Sequence, residues 1–294
     1  MASSTPDRLS VLKTYKLYLG GAYPRTESGR TMPIHDAKDK LVAHFCLASR
    51  KDFRNAVGAA RKAQGSWASK TSYLRGQILY RMAEMLEGRA DEFCQALVVG
   101  GHAAKQAKQE LEAAVDRLVA FAGWADKYSQ ILGCHNPVAA PYYNFSVPEP
   151  SGVCVAVAPD EAPLLGLVSL LAPLLCVGNA VVALGSQKAP LATALLGEVC
   201  GVSDVPAGVV NLLTGDRAEL LPEFASHRDV DAILTANLRP AQRRILDLGT
   251  ADNMKRVHHE KWGKGALMDT GIMHGPDRLL PLIEIKTIWH PVGR

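Results

Sequence analysis

The chain has 294 residues, 33 basic against 29 acidic side chains, 48% hydrophobic and 21% charged composition, which fits one large or two modest globular domains and excludes collagen-like, disordered and disulfide-knot classes. The +4 balance is spread along the sequence without a block of five basic residues, so no nucleic-acid partner is expected. The longest apolar stretch, Leu164 to Val177, spans 14 residues and carries Pro173; it is too short and interrupted for a membrane span and predicts a buried helix. Residues 1 to 20 hold no uninterrupted apolar h-region, and no secretory signal is expected. Six cysteines, at 46, 94, 134, 154, 176 and 200, lack any C-x-x-C spacing, which predicts free thiols in a reducing compartment, the cytoplasm.

Tyr15 to Leu19 alternates like a short strand and ends on Gly20-Gly21, and Ile34 to Cys46 reads as a second strand pair. Ser49 and Asp52 have capping-box spacing ahead of Phe53, Val57, Ala60 and Ala63. Leu74, Ile78, Met82, Met85 and Leu86 mark a second amphipathic helix, and Leu111, Val115, Leu118, Phe121, Ala122, Ala125 and Tyr128 a third; these stripes are read as core faces. Between Pro137 and Pro150 the composition shifts to Pro, Tyr and Asn, with Phe145 and Val147 alternating against Asn144 and Ser146, an exposed strand arm suited to an oligomer contact.

Apolar strands and helices then alternate: strands Val153–Ala158, Ala180–Leu184, Val209–Leu213, Asp231–Thr235 and Arg256–His259, with helices over Pro163–Val177, Leu191–Cys200, Ala218–Ser226 and Leu238–Leu248 between them. Strands apolar on both faces demand a parallel sheet covered on both sides, so the expected fold is a doubly wound α/β domain of Rossmann type. Such sheets bind ligands beyond the carboxyl ends of their strands, here residues 159–163, 185–190 and 235–241. None of these loops carries G-x-G-x-x-G or a P-loop. In His258-His259-Glu260 only His258 and Glu260 share a strand face, too few for a metal site.

The order of segments resembles the cofactor domain of the aldehyde dehydrogenase superfamily. The matching stretches are Glu149-Pro-Ser-Gly152-Val153, Gly178-Asn-Ala-Val-Val182, Pro206-Ala-Gly208-Val-Val-Asn211, Thr214-Gly215 and Asn253-Met-Lys-Arg-Val257. Leu19-Gly20-Gly21, Ala122-Gly-Trp-Ala125 and the tail from Leu282 to Trp289 fit the same family. The chain is most similar to the C-terminal, non-catalytic domain of family 16, where such a domain is part of a longer chain. The resemblance implies an NAD(P)-binding domain, an interdomain thiol, an asparagine oxyanion donor and a glutamate base.

Residue by residue, most of that apparatus is altered. The family's Pro-Trp-Asn falls on Pro159-Asp160-Glu161, so that Glu161 stands in place of the oxyanion asparagine, with the wrong sign of charge. Lys-Pro-Ser-Glu falls on Leu184-Gly185-Ser186-Gln187, and Phe-Thr-Gly-Ser on Leu234-Thr235-Ala236-Asn237. Ser186, Gln187, Gly215 and Asn237 are thus a vestigial cofactor site, Asn237 being expected to cap the next helix and Pro240 to delete an amide from its first turn. Glu260 holds the general-base position in Glu260-Lys-Trp-Gly-Lys264. Residues 265–278 contain no cysteine and are too few to form the thiol domain.

The expected organisation is N-terminal strands and helices of the cofactor domain over 1–136, an oligomerisation arm over 137–150, a Rossmann-type core over 151–264, and a linker and strand over 265–294. The function expected is structural, a pseudoenzyme pairing with itself or with an intact aldehyde dehydrogenase domain. No bound cofactor or metal is expected. The alternatives are an NAD(P)-dependent aldehyde oxidoreductase supplied with a thiol by another domain or chain, and a module binding some other small molecule.

Overall fold

The computed structural model describes residues 11–263 and 265–293. Its centre is a five-stranded parallel sheet of β6 (Val153–Val157), β7 (Ala180–Leu184), β8 (Val210–Leu213), β9 (Ala232–Ala236) and β10 (Arg256–Glu260), in the order β10-β9-β6-β7-β8. The chain starts in the middle, runs outward to β8, and returns to the other side of β6 as β9. The switch point therefore lies between β6 and β9, where helices leave to opposite faces.

Alternation within each strand divides the core. Val153, Val155 and Val157 face one side, against Phe53, Val57, Phe224 and Leu246. Cys154 and Ala156 face the other, against the wholly buried α6 (Leu165–Cys176) and its neighbours. That helix lies within the long apolar stretch, and no helix among the described residues is long and apolar enough to cross a membrane. The first face is covered by α1 (Arg50–Ala68), α8 (Arg217–Ser226) and α9 (Pro240–Thr250); the second by α2 (Ser72–Glu87), α3 (Ala90–Val99), α4 (Ala104–Trp124), α6 and α7 (Pro190–Val202).

The capping box opens α1 as its spacing predicts: Ser49 Oγ accepts from Asp52 N at 3.2 Å and Asp52 Oδ2 from Ser49 N at 2.8 Å. The N-terminal strands differ in detail. Of the stretch Tyr15 to Leu19 only Tyr15 lies in a regular strand, β1 (Lys13–Tyr15), which pairs in parallel with β3 (Leu41–Cys46), itself in a hairpin with β2 (Thr31–His35). Past Tyr15 the chain leaves that sheet, because Tyr18 exchanges backbone bonds with Leu212 and Leu19 and Ala22 close a tight turn with Gly20 and Gly21 at φ 59° and 79°. Two successive left-handed residues are what such a turn requires. Helix α3 has no clear signal in the sequence, because it buries only Phe93, Ala96 and Leu97, a short apolar stripe.

After α5 (Tyr128–Leu132), β4 (Cys134–Asn136) and β5 (Tyr142–Pro150) form an antiparallel sheet with β11 (Ile283–Pro291), in the order β11-β5-β4. β11 pairs with β5 along its whole length, from Ile283 opposite Pro150 to Pro291 opposite Tyr142. One face carries a polar ladder in which Asn136 Nδ2 donates to Asn144 Oδ1 at 2.6 Å and to Ser146 Oγ at 2.9 Å, with Thr287 Oγ1 2.9 Å from Ser146 Oγ. The other gathers His135, Tyr143 and Phe145, the first two stacked at 4.7 Å between ring centres. Asn179 Nδ2, at the base of β7, donates to the Leu282 carbonyl at 2.9 Å and moors this sheet to the central one.

Candidate functional site: the crevice at the carboxyl strand ends

A cleft of about 790 Å³ opens beyond the carboxyl ends of β6, β7 and β9, lined among others by His102, Glu110, Glu161, Asn237 and Trp262. A second, of about 500 Å³, lies under the β2–β3 hairpin and is lined by Gln187 and Gly215. Lys188 lines both. Of the residues singled out from the sequence, Glu161 and Asn237 therefore meet in one cleft, Gln187 and Gly215 in the other. Ser186 is buried between them, and Glu260 lines neither.

What separates the clefts is an ion pair that spacing could not reveal. Asp160 Oδ2 accepts from Arg217 Nη1 at 2.6 Å, and Oδ1 from Arg217 Nη2 at 3.0 Å, Ser186 Oγ at 2.8 Å and Gln187 N at 3.0 Å. Burial works to raise the Asp160 carboxyl, but the Arg217 charge and these hydrogen bonds hold it below its ordinary range. The Asp160 charge is thus compensated by the chain's own arginine. Glu161, by contrast, is exposed and makes no ion pair with the described residues.

Asn237 does not cap α9, contrary to expectation. Pro240 is the first residue of that helix, which moves the cap to Arg239, whose N–H donates to Gln242 Oε1 at 3.2 Å. Asn237 instead adopts φ 52°, a conformation its type tolerates, and clasps the backbone just after β10. Its Oδ1 accepts from Trp262 N at 2.8 Å and its Nδ2 donates to Trp262 O at 3.2 Å.

Glu260 ends β10 as a fully engaged anion. Its Oε1 lies 2.8 Å from both His258 Nε2 and Arg278 Nη1, and its Oε2 accepts from Trp262 Nε1 at 3.2 Å. Burial works to raise this carboxyl, yet the His258 and Arg278 hydrogen bonds and the Arg278 charge hold it at about 2. His258 and Glu260 thus converge on one face as the strand period requires, while His259 turns to Thr235 and Asp247 on the other. Among the described residues, no group of three or more His, Cys, Asp or Glu side chains is placed to hold a metal ion. Lys264 lies outside the described residues.

Arg278 belongs to the strap between β10 and β11, whose described residues 261–263 and 265–282 form turns and short helical pieces, with Gly263 and Leu267 at the cleft's rim. Arg117, deep in α4, bonds to Ser169 in α6 and donates to the Leu267 carbonyl at 2.7 Å; Trp124 Nε1 donates to the His274 carbonyl at 2.5 Å. A buried carboxyl on the cleft wall, Glu110, accepts from Leu164 N and Leu165 N at 2.7 and 3.1 Å, with His102 Nε2 at 3.4 Å. Burial outweighs those donors and raises its pKa. Burial acts on three thiols in the same direction, pushing Cys176 and Cys200 up to about 12 and Cys154 higher still.

The sequence profile of the aldehyde dehydrogenase family matches residues 24–268. Retinal dehydrogenase 2 of Mus musculus is 33% identical over 259 residues, covering 86% of this chain and 49% of that protein. The mitochondrial benzaldehyde dehydrogenase of Antirrhinum majus is 30% identical over 254 residues, 85% of this chain and 47% of that protein. The NAD⁺ complex of an aldehyde dehydrogenase from Bacillus cereus superposes with a TM-score of 0.80 at 25% identity, over 85% of this chain and 51% of that one. The chain spans about half the length of these relatives, and by sequence and by fold it belongs to the aldehyde dehydrogenase family.

Proposed function

We propose that this is a non-catalytic aldehyde dehydrogenase domain whose role is structural, most similar to the C-terminal domain of family 16, and that it acts through its β11-β5-β4 sheet in a homo-oligomer or with an intact dehydrogenase domain. The observation that carries the reading is the state of Glu260. A general base works best with a pKa near the operating pH, whereas a carboxylate held at about 2 by Arg278 and His258 has little basicity left.

The crevice supports the same reading. The residues at the strand ends do not fit a dinucleotide: the Gln187 amide and Ser186 hydroxyl are spent on Asp160, and Pro240 removes an amide from the first turn of α9. Between Glu260 and β11 there is no cysteine to form the thiohemiacetal that hydride transfer from an aldehyde requires. The exposed Tyr143 and Trp289 side chains of the β11-β5-β4 sheet and its two edges, unpaired among the described residues, are what a partner would cover. The compartment proposed is the cytoplasm, from the free thiols.

Calorimetric titration with NAD⁺ and NADP⁺, alongside a dehydrogenase assay over a panel of aldehydes, tests the reading. No binding tighter than about 100 μM and no turnover are expected. Tight binding with turnover would replace the proposal by the oxidoreductase alternative.

A further inference from the structure

We propose that Asp160 is a built-in occupant of an oxyanion site, and that its carboxylate fills the place a phosphate group would take, thereby excluding phosphate-bearing ligands from the crevice. This rests on the non-catalytic reading above and supplies its cause at the strand ends.

Four hydrogen bonds converge on this one carboxylate: both terminal nitrogens of Arg217, the hydroxyl of Ser186 and the amide of Gln187. A bidentate guanidinium with a hydroxyl and a backbone N–H is the donor set that binds phosphate as readily as carboxylate. The set is held rigidly. Ser186 Oγ also accepts from the amides of Lys188 and Ala189, and Arg217 Nη2 donates to the Ala158 carbonyl at 2.6 Å. The Arg217 side chain is 8% exposed and its Nε has no partner, so the cation is committed to this spot and needs an anion beside it. Asp160 itself is 18% exposed and stands where the two clefts approach each other, with Lys188 on the rim of both. The position is accessible to a small anion once the carboxylate is gone.

The test uses the full chain and inorganic phosphate as the probe, with thermal unfolding and calorimetry on the wild type, Asp160→Ala and Asp160→Asn. The wild-type midpoint should respond to phosphate no more than to chloride at equal ionic strength. Asp160→Ala should unfold at a lower temperature, regain stability in about 50 mM phosphate but not in chloride, and bind phosphate at least about tenfold more tightly than the wild type. Asp160→Asn keeps an acceptor for Ser186 and Gln187 but sheds the charge, and should gain part of that affinity. A phosphate response equal in all three proteins, or in none, would overturn the proposal. So would failure of both variants to fold in phosphate, since the anion should replace the missing carboxylate. NAD⁺ binding by the wild type would overturn the non-catalytic reading and the exclusion together, whereas variants that show no phosphate response in a chain that binds no NAD⁺ would overturn the proposal alone.

Discussion

Arg278 reaches back from the strap to place Nη1 2.8 Å from Oε1 of Glu260. The contact couples two things that sequence treats as separate: the residue at the family's general-base position and the short segment standing between β10 and the last strand. Because both side chains are largely buried, the pair is a clamp on the strap and, together with the His258 hydrogen bond, the reason the carboxylate is acidic.

Stability should therefore depend on pH through Glu260. Its folded pKa of about 2 lies below the ordinary 4.5, so the stabilisation is complete above the higher value and is lost as pH falls toward the lower one. Solvent screens part of the interaction, and about 1–3 kcal/mol is expected. Urea midpoints measured from pH 6 down to about 2 should fall more steeply for the wild type than for Arg278→Ala or Glu260→Gln. Parallel curves for all three would show that the pair does not stabilise the fold.

Asn237 makes a separable prediction. Asn237→Ala loses both bonds to the Trp262 backbone and puts a Cβ-bearing residue of lower left-handed tolerance at φ 52°, which should cost about 2–3 kcal/mol. Asn237→Gly relieves the backbone while losing the same bonds, and should cost about 1 kcal/mol less than alanine. Equal losses in chemical denaturation would mean that conformation contributes nothing at this position.

The central sheet was legible because burial on both faces leaves no choice of residue: Val153–Val157 and Ala180–Leu184 are wholly buried strands where their apolar runs stand. The arm was legible from its period of two, and Phe145 and Asn144 do lie on opposite faces. The site was less so. Asn237 was read as a cap from residue type alone, yet Pro240 fixes the helix start three residues on and leaves it outside. Arg217 and Asp160 are 57 positions apart, and nothing in either's neighbours announces the other. Long-range ion pairs are set by how the loops stack, which local patterns do not encode.

The strap should loosen without global collapse when Arg117 is replaced. Arg117→Met keeps an apolar stem among the core residues but removes the donors to Ser169 and to the Leu267 carbonyl. Losing the strap bond, worth about 1–1.5 kcal/mol, should speed amide exchange in residues 266–273 about tenfold. The amides of β6 and β7 should keep their protection. Uniformly faster exchange throughout the chain would instead make Arg117 a core residue with no special hold on the strap.

The arm carries the last prediction. On one face His135 stacks on Tyr143 and the Tyr143 and Phe145 rings meet at a tilt, and Trp289 on the opposite face is 57% exposed, more aromatic surface than a strand pair leaves to water without use. The proposed partner is a second copy or a related domain, so light scattering behind size exclusion should give a dimer or larger for the wild type at about 100 μM, an ordinary range for a modest interface. Tyr143→Lys with Phe145→Lys places two charges on that face while leaving the polar ladder of Asn136, Asn144 and Ser146 intact. Burying them in an interface should weaken association about a hundredfold or more, and the double variant should run as a monomer with its thermal midpoint at high dilution little changed. A wild type that is monomeric both alone and mixed with an intact dehydrogenase domain would remove the structural role proposed for the sheet.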